Sequence, residues 1–308
     1  MKLLNKPLTN GVRLYQSTFV AILFAGTVVQ SGAYTLNSPN SQSSLQINLS
    51  GSSIGLSDWQ VGGASQLNQQ WFYYSLDSGT VNSIDTIASP SSIVYRTTGS
   101  APFVSSTYAN LAISVQTKFS LNNAPTLQDT ITVQNPSSSG QTHVFHFYQY
   151  SDFDLGGIPG SQNVQFYNNG SSSYYEVKQS GGAASLDVTV SASNPSAVQA
   201  GLYDGNQFGL GNGNSAPSLD NTLAAGPGDA VFAYEWDVTL VPGGAFQISE
   251  LQTVSVPEPS PVALMASGLL ALALLYRRRH GGQRNCHSCR GIFFSSMNFL
   301  FKNLVKSE

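Results

Sequence analysis

Phe232-Ala-Tyr-Glu-Trp-Asp-Val-Thr-Leu240 decides the fold class, together with Phe246-Gln-Ile-Ser-Glu-Leu251, which follows after Pro242-Gly243-Gly244. In the first run Phe232, Tyr234, Trp236, Val238 and Leu240 alternate with Ala233, Glu235, Asp237 and Thr239. Period-2 alternation puts the large apolar side chains on one face of a strand, with Glu235 and Asp237 facing solvent. The Pro-Gly-Gly between the runs predicts a β-hairpin.

The same pattern recurs on either side. Leu111, Ile113, Val115, Thr117 and Phe119 alternate with small and polar residues, as do Leu186, Val188 and Val190. Further candidate strands are 45–49, 71–76, 93–97, 127–134, 143–150, 174–179 and 197–202. Turn signals separate them: Asn135-Pro136, Gly156-Gly157, Asn168-Asn169-Gly170, Gly181-Gly182 and Asn194-Pro195. Eleven candidate strands with no helical period predict an all-β fold, a single antiparallel β-sandwich over residues 34–255. The longest loop, 205–228, is rich in Gly and Asn, and loops of that length are functional or disordered.

Composition agrees with an exported β protein. Hydrophobic residues make up 41% of the 308 and charged residues only 9%, against about 25% charged in ordinary soluble chains. Between Tyr34 and Ser255 there are fourteen acids against Arg96, Lys118 and Lys178, while the other ten basic residues lie at the two ends. An acidic middle argues against nucleic acid, whose phosphates need clustered Lys and Arg. Both cysteines, Cys286 and Cys289, lie near the C-terminus, so the middle must rely on its core.

The ends are built for export. Residues 1–33 read as a signal peptide: Lys2, Lys6 and Arg13, an apolar run from Phe19 to Val29, then Ser31-Gly32-Ala33 for cleavage. An uncleaved anchor is the alternative, although the run is short of the ~20 residues of a spanning helix. At the other end Val256-Pro257-Glu258-Pro259 and Ser260-Pro261 hold the backbone extended. The uncharged run Val262–Tyr276 is expected as a transmembrane helix and Arg277-Arg278-Arg279 as its cytoplasmic stop-transfer cluster. As a helix the run rises about 22 Å, so flanking residues or local bilayer thinning must complete the span.

This ordered trio resembles the PEP-CTERM sorting signal of Gram-negative, exopolysaccharide-producing bacteria, over 256–280. The resemblance implies that a membrane-embedded protease, exosortase, recognises Pro257, Glu258 and Pro259, and that the protein is exported through the inner membrane to the cell surface or extracellular matrix. Residues 111–157 and 236–248 also look like ectodomains of such proteins. The chain departs from the family by running on through a basic tail, 281–308, expected to be unstructured. Its Cys286-His287-Ser288-Cys289 is a lone C-x-x-C with no second pair to complete a zinc site.

Candidate chemistry in the middle is sparse. Asp152 and Asp154 flank Phe153, and side chains two apart on an extended segment point the same way, so both carboxylates can meet one cation, Ca²⁺ being the natural choice; solvated or turn-capping aspartates are the bland reading. His143 and His146, three apart in one strand, point to opposite faces. No Gly-x-Ser-x-Gly elbow occurs. Glu176, Glu235 and Asp237 are the carboxylates open to a glycosidase pair. Trp59, Trp71, Phe72, Tyr73, Tyr74, Tyr148, Tyr150, Tyr174, Tyr175 and Trp236 are candidates for sugar stacking or core packing. The residues point first to a non-enzymatic surface or matrix protein that meets exopolysaccharide in a biofilm, without a cofactor. A polysaccharide-active enzyme using paired carboxylates, and a Ca²⁺-stabilised structural sandwich, are the alternatives.

Overall fold

The computed structural model describes residues 33–257, except 52, 124, 169–173, 206, 212 and 214, and residues 261–280. The expected signal peptide up to residue 32, the sorting residues Glu258 and Pro259, and the tail 281–308 lie outside the described residues. Those described divide into two compact units, between Val256 and Pro257.

The first unit holds, in chain order, β1 (Ala33–Asn37), β2 (Ser43–Asn48), β3 (Gly55–Val61), β4 (Ala64–Ser65), β5 (Gln69–Leu76), β6 (Asn82–Ser83), β7 (Ser91–Arg96), β8 (Phe103–Ala109), β9 (Ser114–Leu121), β10 (Thr126–Gln134), β11 (His143–Asp152), β12 (Gln162–Asn168), β13 (Tyr174–Gly181), β14 (Ala184–Ala192), β15 (Ala197–Leu202), β16 (Ala224–Gly228), β17 (Ala230–Leu240) and β18 (Ala245–Ser255). Among the described residues these form two antiparallel sheets. One runs β1-β2-β3-β5-β11-β17-β15, with β4 on β3 and β6 on β5; the other runs β16-β12-β13-β14-β18-β10-β9-β8-β7. The all-β sandwich expectation therefore holds. All eleven expected stretches overlap a strand.

The aromatic side chains interlock between the sheets. Phe72 of β5 stacks on Phe147 of β11 at 5.9 Å and on Phe119 of the opposite sheet at 6.1 Å. Phe166 of β12 meets Tyr234 of β17 edge-on at 5.3 Å. Alternation decides which side chains reach this layer, and Val115, Phe119, Val188 and Trp236 are all buried. Leu111 is an exception, 77% exposed. The side chain of Asn110 accepts from the backbone N–H groups of Ala112 and Ile113, and that turn ends the alternation before β9 begins.

The expected hairpin at Pro242-Gly243-Gly244 is not one. β17 pairs with β11 and β15, whereas β18 pairs with β10 and β14 in the other sheet. The turn closes locally, Gly244 N–H donating to Val241 O at 2.8 Å, but it carries the chain between sheets. Asn135 holds this crossing to a second one, β10 to β11. Its backbone N–H donates to Gly244 O and its carbonyl accepts from Gly243 N–H. Its side-chain amide donates to Leu240 O at 2.9 Å and Gln141 O at 2.8 Å. Asn135 is fully buried, and each such group left unpaired would cost about 1–3 kcal/mol.

The inter-sheet layer also contains charge. Asp129 of β10 and Glu250 of β18 are cross-strand partners in the inward phase, and both are buried. Asp129 Oδ2 accepts from Gln70 Nε2 at 2.6 Å and Gln252 Nε2 at 2.7 Å. Desolvation nevertheless pushes Asp129 up to about 7. Burial, and then the neighbouring Asp129 charge, push Glu250 up to about 8. In the unfolded chain both titrate near 4, so the folded state holds extra protons between those values. The stability this contributes is complete below about pH 4 and is lost as the pH rises through 7 to 8. In urea titrations between about pH 5 and pH 8, the wild-type chain is expected to lose stability more steeply than E250Q, which keeps the shape and removes one proton. Parallel profiles would contradict this.

Candidate functional site

The second unit begins at Pro257, and Val256 is the last residue of the first. Val256 packs against the first unit's core and against the turn after β3, where a Cβ on Gly62 would stand 3.1 Å from Val256 Cγ1. Pro257 is exposed. Without an N–H and with a locked φ, it cannot extend the ladder. Beyond it lies one helix, α1 (Pro261–His280). It ends in Arg277-Arg278-Arg279, with Arg277 exposed. Among the described residues no helix is long and apolar enough to cross a membrane. This corrects the expected transmembrane span: the helix forms, but three arginines occupy its last turn and leave an uncharged run of only about 22 Å.

Asp152 closes β11, Asp154 follows it, and Asp229 immediately precedes β17, the neighbouring strand. One carboxylate oxygen from each lies within 4.8 Å of the other two. Asn68 Nδ2 donates to Asp152 Oδ2 at 2.9 Å. Asp152 is buried, and desolvation pushes it up to about 7, with the charges of Asp154 and Asp229 adding to the rise. Burial and then Asp229 also raise Asp154. The sequence pairs Asp152 with Asp154, and the fold adds Asp229. Only the β11–β17 register, in which Asp152 faces Val231, reveals that third acid.

A second cluster joins His146 of β11 to Glu235 and Asp237 of β17, again within 4.8 Å. His146 Nδ1 lies 2.5 Å from Asp237 Oδ1. Asp237 is exposed, but Glu235 is only 3% exposed, contrary to the solvent-facing reading. The reason is the segment joining β15 to β16, which lies over the outer face of the first sheet. Leu219 N–H donates to Glu235 Oε2 at 2.8 Å, and the Tyr148 hydroxyl donates to Pro217 O at 2.9 Å. Burial raises Glu235, against the Leu219 hydrogen bond. His143 stands apart from this cluster, its Nδ1 2.9 Å from Asp77 Oδ2. Backbone and His143 hydrogen bonds hold Asp77 below the usual carboxylate range.

The expected aromatic surface is mostly core. Trp59, Trp71, Phe72, Tyr73, Tyr148, Tyr150 and Trp236 are buried, because β5, β11 and β17 are covered on both faces. The outer face of the second sheet instead carries a shallow cavity of ≈ 380 Å³ lined by Asn163, Gln165, Tyr167, Lys178, Ser180 and Asp187 among others. Tyr167 is 42% exposed. Lys178 Nζ sits 5.7 Å from its ring centre and pairs with Glu176 at 3.0 Å and Asp187 at 3.4 Å. The alternation around Tyr167 is short and broken by polar residues, so it did not stand out in the sequence.

A family model for the PEP-CTERM protein-sorting motif matches residues 255–279. This chain carries a PEP-CTERM motif. The PEP-CTERM motif makes the protein an exported one, cell-surface or extracellular, and implies processing by exosortase. It starts at the last residue of β18, so sorting signal and sandwich adjoin without a linker. No curated protein matches the chain. Among solved structures, a bacterial glucoamylase complexed with acarbose aligns at TM-score 0.51 and 10% identity, covering 80% of this chain and 34% of that one. This chain thus spans about a third of the glucoamylase's length. Galactose 1-epimerase from Lactobacillus acidophilus aligns at TM-score 0.48 and 9% identity, covering 74% of this chain and 100% of that one. A polysaccharide lyase aligns at TM-score 0.46 and 11% identity, covering 70% and 33%. The glucoamylase likeness is one of fold.

In this PEP-CTERM protein the 203–223 segment is tied to the first sheet by Leu210 and Leu219 in the core and by hydrogen bonds to Pro217 O and from Leu219 N–H. Tyr148→Phe removes its hydrogen bond to Pro217 O, worth about 1 kcal/mol net, so local opening of the segment should rise roughly fivefold. Limited proteolysis should cut within 203–223 correspondingly faster, with global unfolding little changed. Equal cleavage rates would show that the hydroxyl does not hold the segment down.

Proposed function

We propose that the protein is a non-enzymatic surface or matrix component, sorted by exosortase, whose sandwich associates with extracellular polysaccharide. The observation that carries this reading is the sorting motif beginning where the last strand ends. Val256 is pinned to the core and Pro257 is exposed, so the recognition residues begin at the edge of the folded domain. Intact mass and fractionation of the chain, in hosts with and without exosortase, test it. Loss of the C-terminal part near Pro257 only when exosortase is present is the expected outcome. Persistence through Glu308 in both hosts would defeat the sorting half of the proposal.

The glycan half rests on the Tyr167 cavity. A half-exposed tyrosine ring beside Lys178, Asp187 and several amide and hydroxyl groups offers the stacking face and polar rim that a sugar ring uses. A carbohydrate-active enzyme is the second reading. It is favoured by His146, Glu235 and Asp237: a buried acid with a raised pKa next to an exposed carboxylate suits general acid–base chemistry. The covering segment argues against it, since Glu235 Oε2 already accepts from Leu219 N–H. Incubating the protein with a panel of bacterial exopolysaccharides separates the two. Binding without turnover, weakened roughly three- to tenfold by Tyr167→Ala, supports the first reading. Turnover abolished by Glu235→Gln would establish the second, and neither binding nor turnover would remove both.

A further inference from the structure

We propose that Asp152, Asp154 and Asp229 form a site for one divalent hard cation, Ca²⁺, that ties the end of β11 to the start of β17. Three independent features point there. First, the three carboxylate oxygens lie within 4.8 Å of one another. Ca²⁺ takes oxygen ligands at about 2.3–2.6 Å, so ligands across the ion stand up to about 5 Å apart, and the cluster matches that span. Second, two of the carboxylates keep a buried oxygen without a partner. Asp152 is 2% exposed; Asn68 occupies its Oδ2, while its Oδ1, and the buried Oδ1 of Asp229, have no hydrogen-bond partner among the described residues. A buried carboxylate oxygen without a partner is costly, and a cation removes that cost for two of them at once. Third, among the described residues no basic side chain is paired with the cluster. Of the sandwich's three basic side chains, Arg96 donates to Thr98 O, Lys118 lies over Phe103, and Lys178 pairs with Glu176 and Asp187.

The ligand set selects the metal class. All three donors are carboxylate oxygens, with no imidazole or thiolate, which suits Ca²⁺ or Mg²⁺ over zinc or copper. Ca²⁺ is the better match because it accepts irregular geometry and higher coordination, whereas Mg²⁺ demands a near-ideal octahedron. The site has a structural consequence. Tyr203 N–H donates to the carbonyl of Asp229 at 2.7 Å, so an ion there also steadies the start of the segment that covers the first sheet's outer face.

The test uses the full chain, stripped with chelator and then titrated with CaCl₂, and separately with MgCl₂, while bound metal and thermal unfolding are followed. About one equivalent of Ca²⁺ should bind, and Tm should rise by about 5 °C or more at saturation. Asp229→Asn should lose both responses, and without metal its Tm should equal or exceed that of the wild type, because one repelling charge is gone; this shows that it folds. Asp154→Asn, at a half-buried position, should do the same. Asp237→Asn, in the His146 cluster, should retain both responses. A wild-type chain that neither binds nor shifts with either ion overturns the site. So does a Ca²⁺ response that survives in both Asp229→Asn and Asp154→Asn, or one lost in Asp237→Asn. A response to Mg²⁺ matching that to Ca²⁺ overturns the choice of Ca²⁺.

Discussion

Asn135 holds together the corner on which the sandwich turns. Two chain crossings between the sheets, β10 to β11 and β17 to β18, meet there, and one buried asparagine satisfies backbone groups of both. β11 and β17 are neighbouring interior strands of the first sheet, and β10 and β18 are paired in the second. The clamp thus sets two interior pairs against each other. The aromatic layer of Phe72, Phe119, Phe147 and Trp236 then closes between them. Without the clamp, Pro242-Gly243-Gly244 would have every local reason to form the hairpin its residues suggest.

The same register places the acids. β10 paired with β18 puts Asp129 beside Glu250 inside the sandwich, and β11 paired with β17 puts Asp152 near Asp229 and His146 near Asp237. Two of these three groupings answer their burial differently. Burial pushes Asp129, held by Gln70 and Gln252, and its neighbour Glu250 up to about 7 and about 8. Glu235 is sealed by the backbone of the 203–223 segment. A chain with few basic residues cannot pair its buried acids, so protonation, backbone donors or a bound cation must neutralise them.

The sorting segment follows from the end of the fold. β18 is a long interior strand, and its last side chain before the prolines is pinned at Gly62. The proline that follows cannot extend the ladder, and the PEP-CTERM motif begins two residues before it, at the end of β18. The motif that implies export and exosortase processing thus overlaps the end of the sandwich, at Ser255 and Val256.

The amino-acid sequence by itself determined the all-β class, eleven of the strands, the sorting motif and the pairing of Asp152 with Asp154, because period-2 alternation, proline and close spacing are local properties. The other seven strands escaped it, among them β3, where Gly55 and Asp58 interrupt the alternation, and β16, which contains Pro227. Asp129 and Glu250 stand in the inward phase of their strands, a legible sign of buried charge that an apolar pattern nonetheless hides. Only the tertiary structure decided which sheet each strand joined, that Glu235 and the Trp71–Tyr74 aromatics are covered, that Asp229 completes the acidic trio and that Tyr167 is presented. The physical reason is common to all of these. A turn specifies that the chain reverses, but whether it returns in its own sheet or in the opposite one depends on partners a hundred residues away, such as Asn135 for Leu240.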